Sequence, residues 1–62
     1  MIFELKGVKC ALVDNVFSYK GEISLFKMGE AFLVEGTTYR IGKINISPFV
    51  HKYVNVTISK VM

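Results

Sequence analysis

The sequence predicts an all-β fold, a small five-stranded antiparallel barrel. Three observations carry that expectation. Five isolated glycines, Gly7, Gly21, Gly29, Gly36 and Gly42, punctuate the chain, and the runs between them are rich in Ile, Val, Phe, Tyr and Thr. Val54, Val56 and Ile58 alternate with Asn55, Thr57 and Ser59 near the end. Side chains alternate faces along a strand, so that alternation marks one buried and one wet face. Finally, 62 residues leave room for a single domain, 1–62, with one core.

The elements follow in order. Ile2-Phe3-Glu4-Leu5-Lys6 makes a first strand. Residues 8–19 carry two patterns. Val8, Leu12, Val16 and Tyr19 fit a helical stripe, whereas Val13, Val16 and Phe17 favour strand and no cap precedes the run. The reading adopted is strand and then loop. Residues 21–28 pair with 31–35 through a turn at Met28-Gly29-Glu30, and 37–47 follow through Glu35-Gly36. Within 37–47 the apolar parity switches, from Tyr39 and Ile41 to Ile44 and Ile46. A bulge or bend at Gly42-Lys43 accounts for the switch. Pro48-Phe49-Val50-His51 is read as a short helical turn before the last strand, since proline cannot donate to a central ladder. No linker, repeat or low-complexity tract is visible.

Several segments resemble the first half of a Src-homology-3 domain. They are Ala11-Leu12-Val13-Asp14, then Glu22-Ile23-Ser24-Leu25-Phe26-Lys27-Met28-Gly29-Glu30, then Leu33-Val34. The likeness covers about half the chain, with one residue inserted between Ile23 and Gly29. It implies a small barrel with a helical turn, here Pro48 to Val54, before its final strand. The family's peptide groove is not carried over. There is no tryptophan, Val13 stands where the first groove tyrosine belongs, and the loop Asn15 to Lys20 lacks acidic residues. Only Pro48 and Tyr53 fall near groove positions, at a different spacing.

Composition narrows the chemistry. Cys10 is the only cysteine and His51 the only histidine, so neither an internal disulfide nor a Cys/His zinc site can be assembled. Cys10 sits in an apolar run, where an inert buried thiol is expected. The carboxylates Glu4, Asp14, Glu22, Glu30 and Glu35 are singletons, and no phosphate-binding glycine loop occurs. No catalytic residues, metal or cofactor are expected. The longest strictly apolar runs are four residues, far short of a membrane span, so a cytoplasmic location and no membrane partner are expected.

Charge gives the functional lead. All five acidic residues fall at or before Glu35, and from Gly36 onward the charged side chains are Arg40, Lys43, Lys52 and Lys60. Tyr39 and Tyr53 lie among them. Cations displace counterions from phosphate and rings stack on bases, so this set is the candidate nucleic-acid-binding site, for single-stranded or duplex DNA. Lysine outnumbers arginine seven to one, which argues against sequence-specific readout. The alternative partner is another protein. Hydrophobic residues make up 52% of the chain, and Ala31-Phe32-Leu33-Val34 is apolar on both faces. Phe26, Met28, Phe32 and Phe49 are the candidate contacts for a protein partner or a homodimer.

Overall fold

The structure is a computed structural model and describes residues 1–47 and 53–61. Six strands form one antiparallel sheet: β1 (Ile2–Leu5), β2 (Val8–Val13), β3 (Val16–Lys20), β4 (Ala31–Val34), β5 (Thr37–Ile46) and β6 (Tyr53–Lys60). Their order is β1-β2-β3-β6-β5-β4, and the sheet curls into a nearly closed barrel. This shape is compatible with a small Src-homology-3-like barrel.

Alternation builds the interior. Phe3 and Leu5, Cys10 and Leu12, Phe17 and Tyr19, Phe32 and Val34, Tyr39 and Ile41, then Val54, Val56 and Ile58 all pack inward. Phe17 is the hub. Its ring lies 5.6 Å from Phe3, 5.4 Å from Phe26 and 5.7 Å from Phe32, each edge to face. In β5 the inward parity passes from Ile41, opposite Ile58, to Ile44, opposite Val56, and the register slips between Ile41 and Lys43. Gly42 is the extra residue of the expected bulge.

Two expectations are corrected. The barrel has six strands rather than five, and residues 15–20 are not a loop. Val13 pairs with Val16 around the two-residue turn Asp14-Asn15, where Asp14 takes φ 57°. The chain therefore returns at once as β3, and the helical alternative for 8–19 is also excluded. The run 21–28 is not a strand either. It holds a single 3-10 turn, Ile23–Leu25, and the carbonyls of Glu22, Leu25 and Gly29 are claimed by side chains from other elements. Tyr19 Oη donates to Glu22 O at 2.6 Å, Lys6 Nζ to Leu25 O at 2.9 Å and Arg40 Nη1 to Gly29 O at 3.1 Å. The expected turn at Gly29 survives, with Glu30 N donating to Lys27 O at 3.1 Å, but its first arm is this connector. The connector drops Phe26 into the core and joins β3 to β4. The expected helical turn at 48–51 lies outside the described residues.

One feature unseen in the sequence is an internal repeat. In the first hairpin Ile2 opposes Ala11 and Leu5 opposes Val8. In the second, Ala31 opposes Arg40 and Val34 opposes Thr37, each number raised by 29. Both hairpins turn on a residue with positive φ followed by a glycine, Lys6-Gly7 and Glu35-Gly36. That sequence of dihedrals matches the twist of the flanking strands.

Candidate nucleic-acid-binding surface

The outer face of β3, β6 and β5 is the feature best placed for a ligand. Parity fixes what it displays. Phe17 and Tyr19 face inward on β3, so Val16, Ser18 and Lys20 face out. On β6 the outward set is Tyr53, Asn55, Thr57 and Ser59, and on β5 it is Thr38, Arg40, Lys43 and Asn45. The pairings arrange these side chains in rows. Lys20 lies opposite Tyr53, Ser18 opposite Asn55 and then Asn45, Val16 opposite Thr57 and then Lys43, and Ser59 opposite Arg40. Ser18 Oγ donates to Asn55 Oδ1 at 2.8 Å, which fixes the central row. Neighbouring strands stand about 4.8 Å apart, so Lys20, Lys43 and Arg40 share one continuous surface. It contains no carboxylate. Asp14, Glu22, Glu30 and Glu35 lie on turns and the connector, and Glu4 lies on β1.

The sequence-derived candidates separate on this frame. Arg40 and Lys43 come together on the outer face, with Tyr53, 40% exposed, at its far end. Lys60 does not join them: it opposes Tyr39, on the inward parity at the strand end. Tyr39 is half-buried on the inward parity, its ring stacked on Phe32 at 5.7 Å. Lys52 lies outside the described residues. Lys20 was missed because its segment read as loop; inward Phe17 and Tyr19 are the signal that would have found it.

The candidate protein contacts fare unevenly. Phe26 is buried at 3% exposure against Phe17 and Tyr19, with Lys6 Nζ 4.9 Å above its ring. Phe32 packs on Phe3, Phe17 and Tyr39. The barrel interior holds Phe26 fully and Phe32 in part. Met28 is 70% exposed on the connector, and Phe49 lies outside the described residues. The outward apolar side chains gather elsewhere: Ile2 beside Ala11, and Val13 beside Val16.

The remaining reactive groups sit in structural roles. The Cys10 thiol is fully buried and points at Val8 O, 3.7 Å away; burial pushes its pKa up. Burial likewise raises the Tyr19 phenol, with Cys10 and Glu22 adding to it. Among the described residues no three His, Cys, Asp or Glu side chains gather to hold a metal ion. No helix among them is long and apolar enough to cross a membrane. Comparison with known protein families, with curated proteins and with solved structures finds no match to this chain.

Proposed function

We propose that the protein is a non-catalytic binding module that contacts nucleic acid, without sequence specificity, through the outer face of β3, β6 and β5. One observation carries the reading: that face holds Lys20, Arg40 and Lys43 and no acidic side chain. Hydroxyls and amides fill the rows between the cations, and Tyr53 offers a ring at one end. Cations set on a rigid sheet track a phosphate backbone, the polar rows hydrogen-bond sugar and phosphate, and an exposed ring stacks on an unpaired base. The convex outer face of a barrel, three strands wide, does not fit into a duplex groove, whereas an extended single strand can lie across it, which favours the single strand over the duplex.

The test is a fluorescence anisotropy titration with a labelled single-stranded oligonucleotide and its duplex. Binding that weakens as salt rises, and prefers the single strand, is expected. Absent or salt-independent binding overturns the reading.

A second reading, a protein-interaction surface, is favoured by the outward apolar cluster of Ile2, Ala11, Val13 and Val16, which runs from β1 across β2 to the border of the basic face at Val16. Ile2 and Val13 are 74% and 71% exposed. Light scattering on purified protein separates homodimer from monomer, and a monomer at millimolar concentration removes self-association through this cluster.

A further inference from the structure

The barrel has a seam. β1 and β4 are the two edges of the sheet, and no ladder joins them. Their Cα atoms stand more than 8 Å apart along most of the edge. Side chains alone bridge the gap. Phe3 and Phe32 stack at 6.4 Å beneath it, and the Lys6–Glu30 ion pair, 2.6 Å, spans one end.

The backbone groups facing the gap can be named. Leu12 N donates to Met1 O at 2.7 Å, and the Met1 ammonium donates to Leu12 O at 3.1 Å. In an antiparallel pair, residues that exchange both bonds alternate with residues that exchange none. Met1, Phe3 and Leu5 therefore aim their backbone at β2, while Ile2 and Glu4 aim theirs into the seam. On the other side Ile41 N donates to Glu30 O at 2.9 Å. Phe32 and Val34 accordingly face β5, and Ala31 and Leu33 face the seam. Four N–H and four C=O groups thus stand along the two edges at strand spacing with no ladder partner among the described residues. The usual guards of an edge strand are missing from β4, which is Ala31-Phe32-Leu33-Val34 with no charge and no proline.

We propose that this seam accepts one extended segment of another polypeptide as a seventh strand, completing the barrel by β-augmentation. Two edges with one strand missing between them stand roughly 9.6 Å apart, twice the inter-strand spacing. Only an extended peptide backbone presents donors and acceptors in the alternation both edges require. The surroundings define its side chains. Phe3 and Phe32 fill the space beneath, so inward positions take small residues. The stacked rings set Ile2 level with Leu33 and Glu4 level with Ala31. Between the first two an apolar β-branched residue fits. Beside Glu4, whose carboxylate makes no ion pair among the described residues, a basic residue fits. All six strands run antiparallel in sheet order, so β1 and β4 point opposite ways. The inserted strand is therefore antiparallel to one edge and parallel to the other. This surface is separate from the basic face and does not depend on the nucleic-acid reading.

The probe is the peptide acetyl-Ala-Val-Ala-Lys-Ala-amide, titrated to millimolar concentration into the isotope-labelled full chain and followed by NMR. Shift changes centred on the amides of Ile2, Glu4, Ala31 and Leu33, and exchange at those amides slowed at least tenfold, are expected. A peptide N-methylated at its valine and lysine, which removes the donors facing one edge, is expected to leave them unchanged. Leu33→Pro deletes one seam-facing donor at an edge position that tolerates proline, and is expected to keep the melting temperature and lose the peptide response. Three results overturn the proposal: seam amides already protected in the free protein, no response at those amides, or equal binding by the N-methylated peptide.

Discussion

Salt dependence gives the sharpest test of the outer face. Lys20 points outward from β3, and Arg40 and Lys43 from β5, on either side of β6. For a single strand, each neutralised phosphate adds about 0.7 to the slope of log affinity against log salt, so three contacts give a slope of roughly −2. Affinity should then fall about 18-fold between 50 and 200 mM salt. Lys43→Ala should lower the slope by about 0.7, and Lys20→Ala by the same amount. Arg40→Ala should do likewise, with a small further loss of stability because its guanidinium holds Gly29 O. The lysine side chains are exposed, so their removal should move stability by no more than about 0.5 kcal/mol. Lys27→Ala, on the connector, is the control and should leave the slope unchanged. The assay is anisotropy with a labelled oligonucleotide at four salt concentrations. A slope near zero refutes the phosphate reading. A slope lowered by Lys27→Ala and not by Lys43→Ala refutes the assignment to this face.

Three further outcomes follow from the same geometry. Phe17→Ala empties the hub of the aromatic core at a cost of about 3–5 kcal/mol, comparable with the roughly 3–9 kcal/mol expected for 62 residues; circular dichroism should find it largely unfolded at 25 °C. The hydrogen bond from Lys6 Nζ, then that from Lys27 N–H, lowers the pKa of the Glu30 carboxyl. A lowered folded-state pKa contributes stability above the unfolded value of about 4.3 and loses it as pH falls through the folded value. Lys6 is 42% exposed and the pair is screened, so Glu30→Gln should cost about 0.5–1 kcal/mol at pH 7 and flatten the acid limb of a thermal-melt series below about pH 4.5. Tyr53→Ala should weaken single-strand binding several-fold with little change in melting temperature, and Tyr39→Ala should do the reverse, because Tyr53 faces out and Tyr39 stacks on Phe32.

Most strands were legible because their patterns are local. β6 alternates without interruption, and the parity switch at Gly42 identified the bulge in β5. The turn at Asp14-Asn15 was not legible, since the reading leaned on glycine and a non-glycine residue takes the positive φ there. The connector misled for a different reason. Residues 21–28 have strand composition, but Tyr19 and Lys6 bind the carbonyls of Glu22 and Leu25, and Arg40 that of Gly29 just beyond. Lys6 and Arg40 reach them from β1's turn and from β5, and such long-range competition leaves no trace in local propensity. The charge asymmetry found Arg40 and Lys43, but it could not tell faces apart. Continuing the alternation of Val54, Val56 and Ile58 by one step already puts Lys60 on the core parity. The aromatics Tyr39, Phe26 and Phe32 were read as contacts because composition does not say which face a ring takes; the β4–β5 pairing turns Phe32 and Tyr39 towards the core, and the connector drops Phe26 into it.

The repeated hairpin separates what the fold requires from what it leaves open. Raising each number by 29 carries Phe3 to Phe32, Leu5 to Val34 and Leu12 to Ile41, so these inward positions keep their apolar character, while Val8 at the hairpin end becomes Thr37. Outward positions do not: Ala11 becomes Arg40, and Val13 falls at the bulge beside Lys43. Packing holds the first set, whereas nothing in the barrel demands arginine or lysine in the second. The basic character of the second half is therefore a property of its surface chemistry, and it should be transferable. Ala11→Arg with Val13→Lys places two cations on β2, next to Ser18 and Val16 on β3 and continuous with the basic face. Both sites are exposed, so the fold should persist with melting shifts of a few degrees. The slope of single-strand binding should steepen by about 1.4, which makes the loss of affinity between 50 and 200 mM salt about sevenfold larger. An unchanged slope in a folded variant would mean that the strand does not cross β3 onto β2, and would confine its path to β3, β6 and β5.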